Sequence, residues 1–246
     1  MSVQPAFLLI ADIGGYTRFM KVHRMSLAHA QDIVSRLLEV VIETTSGRLT
    51  VAKLEGDAVF FYVAYPPGTE PDLGFVAGEV AAIYRAFHER IADLRASGLC
   101  FCDGCTQAGN LKIKFVGHVG EAAIHQVQRF TELAGVDVIV VHRMLKNAVP
   151  VPEYLLVTEP VLRGAPPDVK ARAQPLSLDV ADVGRLDTFF LDLGQAVPRV
   201  PERPRRWLLT RLALMMGRGM RTMPYLVGLR KPCADFRNLE GEPRPA

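Results

Sequence analysis

Apolar residues nowhere run for the roughly 20 positions that a bilayer-spanning helix needs. The start of the chain lacks the basic stretch, apolar core and cleavage pattern of a secretory signal. Cysteine is sparse, with four in 246 residues, too few for a secreted scaffold stapled by disulfides. A reducing cytoplasm is therefore the expected compartment. Aromatic residues make up 8% of the chain, with a single tryptophan. No basic motif interleaved with aromatics is present, so no nucleic-acid partner is expected. A formal net charge of only +3 says nothing by itself about partners.

What is present is an ordinary globular composition, 49% hydrophobic and 22% charged, enough for a sizeable core. The charge is unevenly placed. Between Pro198 and Pro232 nine arginines and lysines face one acid, Glu202, which leaves the remainder mildly acidic. The expected organisation is a body over 1–195 and a basic extension rich in Pro, Arg and Met over 196–246. In that extension Trp207, Leu208, Leu212 and Met215 recur at helical spacing among arginines. Such a stretch can lie peripherally on an anionic membrane. The alternative is an arm packed on the body or on a partner subunit.

Along the body, Phe7 to Ala11 reads as a buried strand, and Ser26 as the cap of a helix with apolar positions from Ala30 to Ile42. Segments 49–54 and 58–64 read as a hairpin. A second amphipathic helix runs from Val76 to Leu94, and Leu111 to Val119 is a strand. Val136 to Asn147 begins strand-like and becomes a helix, and strands follow at Tyr154–Thr158 and Leu186–Leu193. The order strand–helix–strand–strand–helix–strand predicts an α+β, ferredoxin-like (βαββαβ) domain. In that topology the first and third strands are antiparallel neighbours, so Asp12, closing the first, lies beside Asp57, at the start of the third. A carboxylate at the end of an apolar strand is costly without a partner. Two brought together can hold a hard divalent cation through oxygen. Taken singly, Asp12 can equally cap the next helix and Asp57 serve a turn.

The motifs carry a resemblance. Asp12-Ile-Gly-Gly-Tyr-Thr17, Lys53-Leu-Glu-Gly-Asp57, His118-Val-Gly120, and Gly135 followed eight residues later by Arg143 resemble, in that order, the catalytic domain of the class III adenylyl/guanylyl cyclases. The resemblance implies a nucleotide cyclase-type domain, most readily one converting ATP to cyclic AMP and pyrophosphate. Asp12 and Asp57 would then hold two Mg²⁺ or Mn²⁺ ions, with the Ile13 carbonyl as a further ligand. The amides of Gly14, Gly15 and Tyr16, with Thr17 completing the motif, would face the phosphates. Lys53 matches the base-reading position, and Arg143 the residue that neutralises charge on the transferred phosphate. The other base-reading position falls at Glu132, with Thr131 adjacent. Sites of this family lie between two subunits, so a homodimer is implied. One position departs from the pattern: Ile139 stands where the family has a ribose-orienting Asn. Arg185 is only a candidate by proximity for the late lysine that grips the terminal phosphates. The resemblance therefore leaves open a slow cyclase, or a degenerate domain that binds nucleotide or mediates dimerisation.

Two features stand outside it. Cys100-Phe-Cys-Asp-Gly-Cys105 supplies three thiolates, which with Cys233 or a histidine would suit Zn²⁺. The alternative is a thiol-bearing loop between helix and strand. The six histidines show no paired ligand spacing and read as structural.

Overall fold

A computed structural model of the protein describes residues 2–22, 27–97, 108–128, 130–198, 200–201, 227 and 229. They fall into two compact units. The first comprises 1–14, 36–90 and 112–201; the second comprises 15–35, 91–111 and 202–246. Ser26, Cys100, Cys102, Cys105, Cys233 and most of the basic extension lie outside the described residues.

In the first unit, β1 (Ser2–Gly14), β2 (Thr50–Glu55), β3 (Ala58–Ala64) and β4 (Lys112–Val127) align in the order β2-β3-β1-β4. All three junctions are antiparallel, the ferredoxin-like arrangement expected from the element order. The sheet continues past β4 with β6 (Tyr154–Thr158), β8 (Gly184–Asp192) and β7 (Gln174–Val180). The β4–β6 pair is parallel. The outer half of β4 folds back on β5 (Phe130–Ala134) as a two-stranded arm. Gly56 turns β2 into β3 at φ 72°, a left-handed backbone that glycine adopts without strain.

Helix α2 (Leu27–Glu43) and helix α3 (Val76–Ser97) start in one unit and end in the other. Within the first unit their residues Leu37, Val41, Val80, Ile83 and Phe87 are buried. The segment from Val136 is helical from its first residue: α4 spans Val136–Arg143, which corrects the expected strand-like start. Gly135 opens it at φ 145°, and Asp137 in its first turn is pinned by tertiary bonds that override the β-branched run Val136–Val141. Short helices α5 (Glu159–Gly164), α6 (Pro167–Arg172) and α7 (Leu193–Ala196) follow.

Alternation along the strands splits the core. Leu8, Ile10, Phe60, Val116 and Leu156 cluster with Val140, Val141 and Met144 of the α4 segment. On the opposite face an apolar recess of about 250 Å³ is lined by Ala77, Gly78 and Ala81 of α3 with Leu155 and Leu191.

The second unit contains α1 (Tyr16–Val22) and a short 3₁₀ turn at Ala108–Asn110. Phe19 is buried, and its N–H donates to the Gly15 carbonyl at 2.9 Å. No described helix is long and apolar enough to cross a membrane.

One buried polar cluster ties α3 to the sheet. Glu153 Oε1 lies 2.8 Å from His88 Nε2 and accepts from the Ile113 amide at 3.3 Å, while Oε2 accepts from the Tyr84 hydroxyl at 3.3 Å. Burial pushes the Glu153 carboxyl up, but His88, Lys112 and the Ile113 amide together outweigh it and hold it below the usual range. The depressed value means the stabilisation is complete above the unfolded carboxyl's pKa of about 4.3. It is lost as pH falls through the folded value. Glu153→Ala is expected to cost about 3 kcal/mol at pH 7 and to shrink the acid-dependent loss of stability, measured by denaturant unfolding between pH 7 and pH 3.

Candidate metal–nucleotide site

Asp12 and Lys114 share strand parity with Ile10 and Val116 and so project on the α4 face of the sheet. They oppose each other across β1 and β4, with Lys114 Nζ 3.0 Å from Asp12 Oδ2. On the other side of β1, Asp12 opposes Ala58, and the Ile13 N–H donates to the Asp57 carbonyl oxygen at 3.0 Å. The β2–β3 turn thus sets Asp57 beside Asp12. The Asp57 carboxyl is raised, first by burial and then by the charge of Asp12. Its own backbone hydrogen bond and Lys114 lower it less.

Sequence reading missed Lys114. On β4 it alternates with apolar neighbours like any strand lysine, and only the β1–β4 register puts it against Asp12. A parity count back from His118 along the strand carries the signal.

The donor set suits a hard divalent cation. Two carboxylates meet at a sheet end, one of them paying for both burial and like charge, with a single ammonium opposite. Asp12 and Asp57 are the residues that would hold Mg²⁺ or Mn²⁺, through oxygen as these ions require. Among the described residues no group of three or more His, Cys, Asp or Glu side chains is placed to hold a metal. Further ligands would therefore come from backbone and substrate oxygens. Gly14 closes β1 opposite Lys112. Gly15 has φ 85°, and Tyr16 and Thr17 open α1 in the second unit.

The hairpin of the Lys53 motif and the helix of the Arg143 motif meet on the same face of the sheet as Asp12. Lys53 Nζ lies 3.5 Å from Glu55 Oε1. His142 Nε2 lies 3.1 Å from both Glu55 oxygens, linking the hairpin to α4. Arg143 Nη2 donates to Asp182 at 3.0 Å, whereas its Nη1 is buried with no hydrogen-bond partner. Ile139, one turn earlier on α4, is 49% exposed. Glu132 sits on β5 opposite His125, and Thr131 accepts a bond from Gln126 at 2.8 Å. Arg185 lies on the exposed β7–β8 hairpin, where its Nε donates to Ser177 at 2.7 Å.

The His118 motif has a clear structural office. His118 is buried, with Nδ1 3.1 Å from the Thr158 hydroxyl and Nε2 2.8 Å from Asp137 Oδ1. Asp137 Oδ2 accepts from the Glu121 amide at 2.7 Å. Gly120 leaves the space that the Asp137 side chain fills.

Comparison with known structures places this architecture. The adenylyl cyclase CyaB of P. aeruginosa superposes with a TM-score of 0.56 at 13% identity, covering 78% of this chain and 95% of that one. The guanylyl cyclase Cya2 gives 0.53 at 12%, covering 83% and 98%. A class III adenylyl cyclase-like ATP-binding protein from Pseudomonas aeruginosa gives 0.53 at 18%, covering 69% of this chain and 36% of that one. The fold is thus the α+β fold of the class III nucleotide cyclase domain. By sequence, a family model described as a protein of unknown function (DUF2652) matches residues 34–154. The chain belongs to the family of the uncharacterized protein Rv2561/Rv2562 of Mycobacterium tuberculosis, to which it is 40% identical over 208 residues, 84% of this chain and 94% of that protein.

Proposed function

We propose that the protein is a metal-dependent nucleotidyl cyclase, converting ATP to cyclic AMP and pyrophosphate as a homodimer. The observation that carries this reading is the Asp12–Asp57 pair, with Asp57 raised by burial and by Asp12 at the end of β1 in a cyclase-type fold. In the reaction the ribose 3′-oxygen attacks the α-phosphorus, the bond to pyrophosphate breaks, and the hydroxyl proton leaves. Divalent cations held there would supply Lewis acidity at the phosphate oxygens and lower the pKa of the 3′-hydroxyl. Asp12 and Asp57 would hold those cations and, by holding them, orient the triphosphate. Lys114, which now pairs with Asp12, is placed to meet phosphate charge once that carboxylate is engaged. Lys53 reads the base, and Arg143, whose guanidinium pairs with Asp182 in the free protein, offers its charge to the transferred phosphate. Val136 and Ile139 are exposed apolar residues on α4, which supports a subunit contact at that helix.

The test is incubation with ATP, GTP, CTP or UTP and Mn²⁺, with mass detection of cyclic products. Product from ATP is expected, and no product from any nucleotide overturns the cyclase reading.

Ile139 favours a second reading, a cyclase-fold domain that binds nucleotide without turning it over. Isoleucine cannot hydrogen-bond a ribose. Because α4 already exposes this position, Ile139→Asn is expected to leave folding intact and to raise turnover about tenfold or more through ribose orientation, measured as initial rates of cyclic nucleotide formation. Nucleotide binding with no product in either protein would support the binding-only reading.

A further inference from the structure

We propose that Glu55 is a positioning residue that holds the base-reading Lys53 directly and, through His142, the last turn of α4 from which Arg143 leaves. This rests on the cyclase reading above.

Glu55 does more than a solvent-facing strand position requires. β2 is the edge strand of the sheet, where an acidic side chain ordinarily points into water. Glu55 instead meets α4: His142 Nε2 faces both carboxylate oxygens at 3.1 Å. The other ring nitrogen of His142, Nδ1, is 2.7 Å from the Val138 carbonyl oxygen. The ring stands edge-on to Phe60, centroids 4.9 Å apart at 72°. With both nitrogens engaged and one edge packed on a core phenylalanine, the imidazole has no free rotation. Glu55 Oε1 also takes the Lys53 ammonium at 3.5 Å; the two residues are two apart on β2 and share a face.

One carboxylate therefore orients a lysine on its own strand and a histidine on a helix 87 residues away in sequence. Arg143 follows His142 and is turned about 100° around the helix from it. The Glu55–His142 contact ties the last turn of α4 to the β2–β3 hairpin, beside the residue whose guanidinium leaves the helix to meet Asp182. Removing the carboxylate frees the Lys53 ammonium and unties from the hairpin the turn of α4 that carries Arg143. Misplacement of about 1 Å at a reacting group costs on the order of 100-fold.

The experiment compares wild type with Glu55→Gln, Glu55→Ala, Arg143→Ala and the Glu55→Ala/Arg143→Ala double variant. Rates are measured with Mn²⁺ and ATP or GTP, and thermal unfolding is followed alongside. Glu55→Ala is expected to lower kcat about tenfold to a hundredfold and to flatten the preference between ATP and GTP, because Lys53 loses its anchor. A purely structural role would leave that preference in place. Glu55→Gln, whose amide oxygen still accepts from His142 Nε2, recovers most of the rate even if the alanine variant is poorly folded. The double variant is expected to be no slower than Arg143→Ala within about threefold. Losses that multiply, or a Glu55→Ala protein with unchanged rate and preference, overturn the proposal.

Should wild type make no cyclic product, the same variants are read by calorimetric binding of Mn²⁺ with α,β-methylene-ATP. There Glu55→Ala is expected to bind about tenfold more weakly. Unchanged affinity overturns the inference about Glu55. Failure of wild type to bind the analogue overturns both this inference and the binding-only reading.

Discussion

Asp57→Asn is expected to lower metal-dependent product formation by at least a hundredfold while raising the melting temperature of the metal-free protein at neutral pH. The two effects share one cause. Burial and the neighbouring Asp12 raise the Asp57 carboxyl in the folded state, so the folded protein disfavours the ionised form more than the unfolded chain does. Its contribution to stability is fully present below the unfolded value, about 3.9, and is lost as pH rises through the folded value. Asparagine never ionises and escapes that loss. The stability gap between variant and wild type should therefore open as pH rises from about 4 to 7, and calorimetric scans at both ends measure it. A site that is costly when empty and productive when loaded is the expected signature of function held against stability. Equal melting temperatures at pH 7 would remove the electrostatic basis for the site.

Gly120→Ala is expected to destabilise the fold by about 3 kcal/mol. No unusual backbone angle is involved; the reason is space. A Cβ at this position would fall within the Asp137 side chain, against Cγ, Oδ2 and Cβ. Asp137 would have to leave, and with it the bonds to His118 and to the Glu121 amide that hold the first turn of α4 to β4. His118 would then be buried with one nitrogen unpaired. The double variant Gly120→Ala/Asp137→Ala should be no less stable than Gly120→Ala alone, because the first change already forfeits what the second removes. Urea denaturation reads both comparisons. Additive losses would show that Asp137 keeps its bonds in the alanine variant.

This small network also shows why parts of the molecule were legible in sequence and parts were not. Residues 7–11 form an unbroken apolar run, and 58–64 follow a Gly-Asp turn, so β1 and the β2–β3 hairpin are set by local pattern. The strand order around them then follows from topology. The β4–β5 arm was not legible past Val119: Glu121, His125 and Gln126 break the alternation because the arm is half exposed. β7, α5 and α6 were missed for a similar reason. Their segments carry Pro160, Pro167 and Pro175 among charged residues and form elements by packing beside β8. Val136–Val141 has the composition of a strand but folds as a helix, because Gly135 and the Asp137 contacts decide its start. At the site, motif spacing marked Asp12 and Asp57. Lys114 and Glu55 were invisible because they meet Asp12 and His142 through cross-strand and strand-to-helix contacts that no single segment reveals.

Asp12 and Asp57 together are proposed to make a metal-dependent nucleotide site. The most direct test is calorimetric titration of α,β-methylene-ATP into wild type and into the Asp12→Asn/Asp57→Asn protein, with Mn²⁺ and with EDTA. Binding to wild type that requires Mn²⁺ and disappears in the double variant is the predicted result. Equal binding by both proteins, or binding indifferent to the metal, would contradict it.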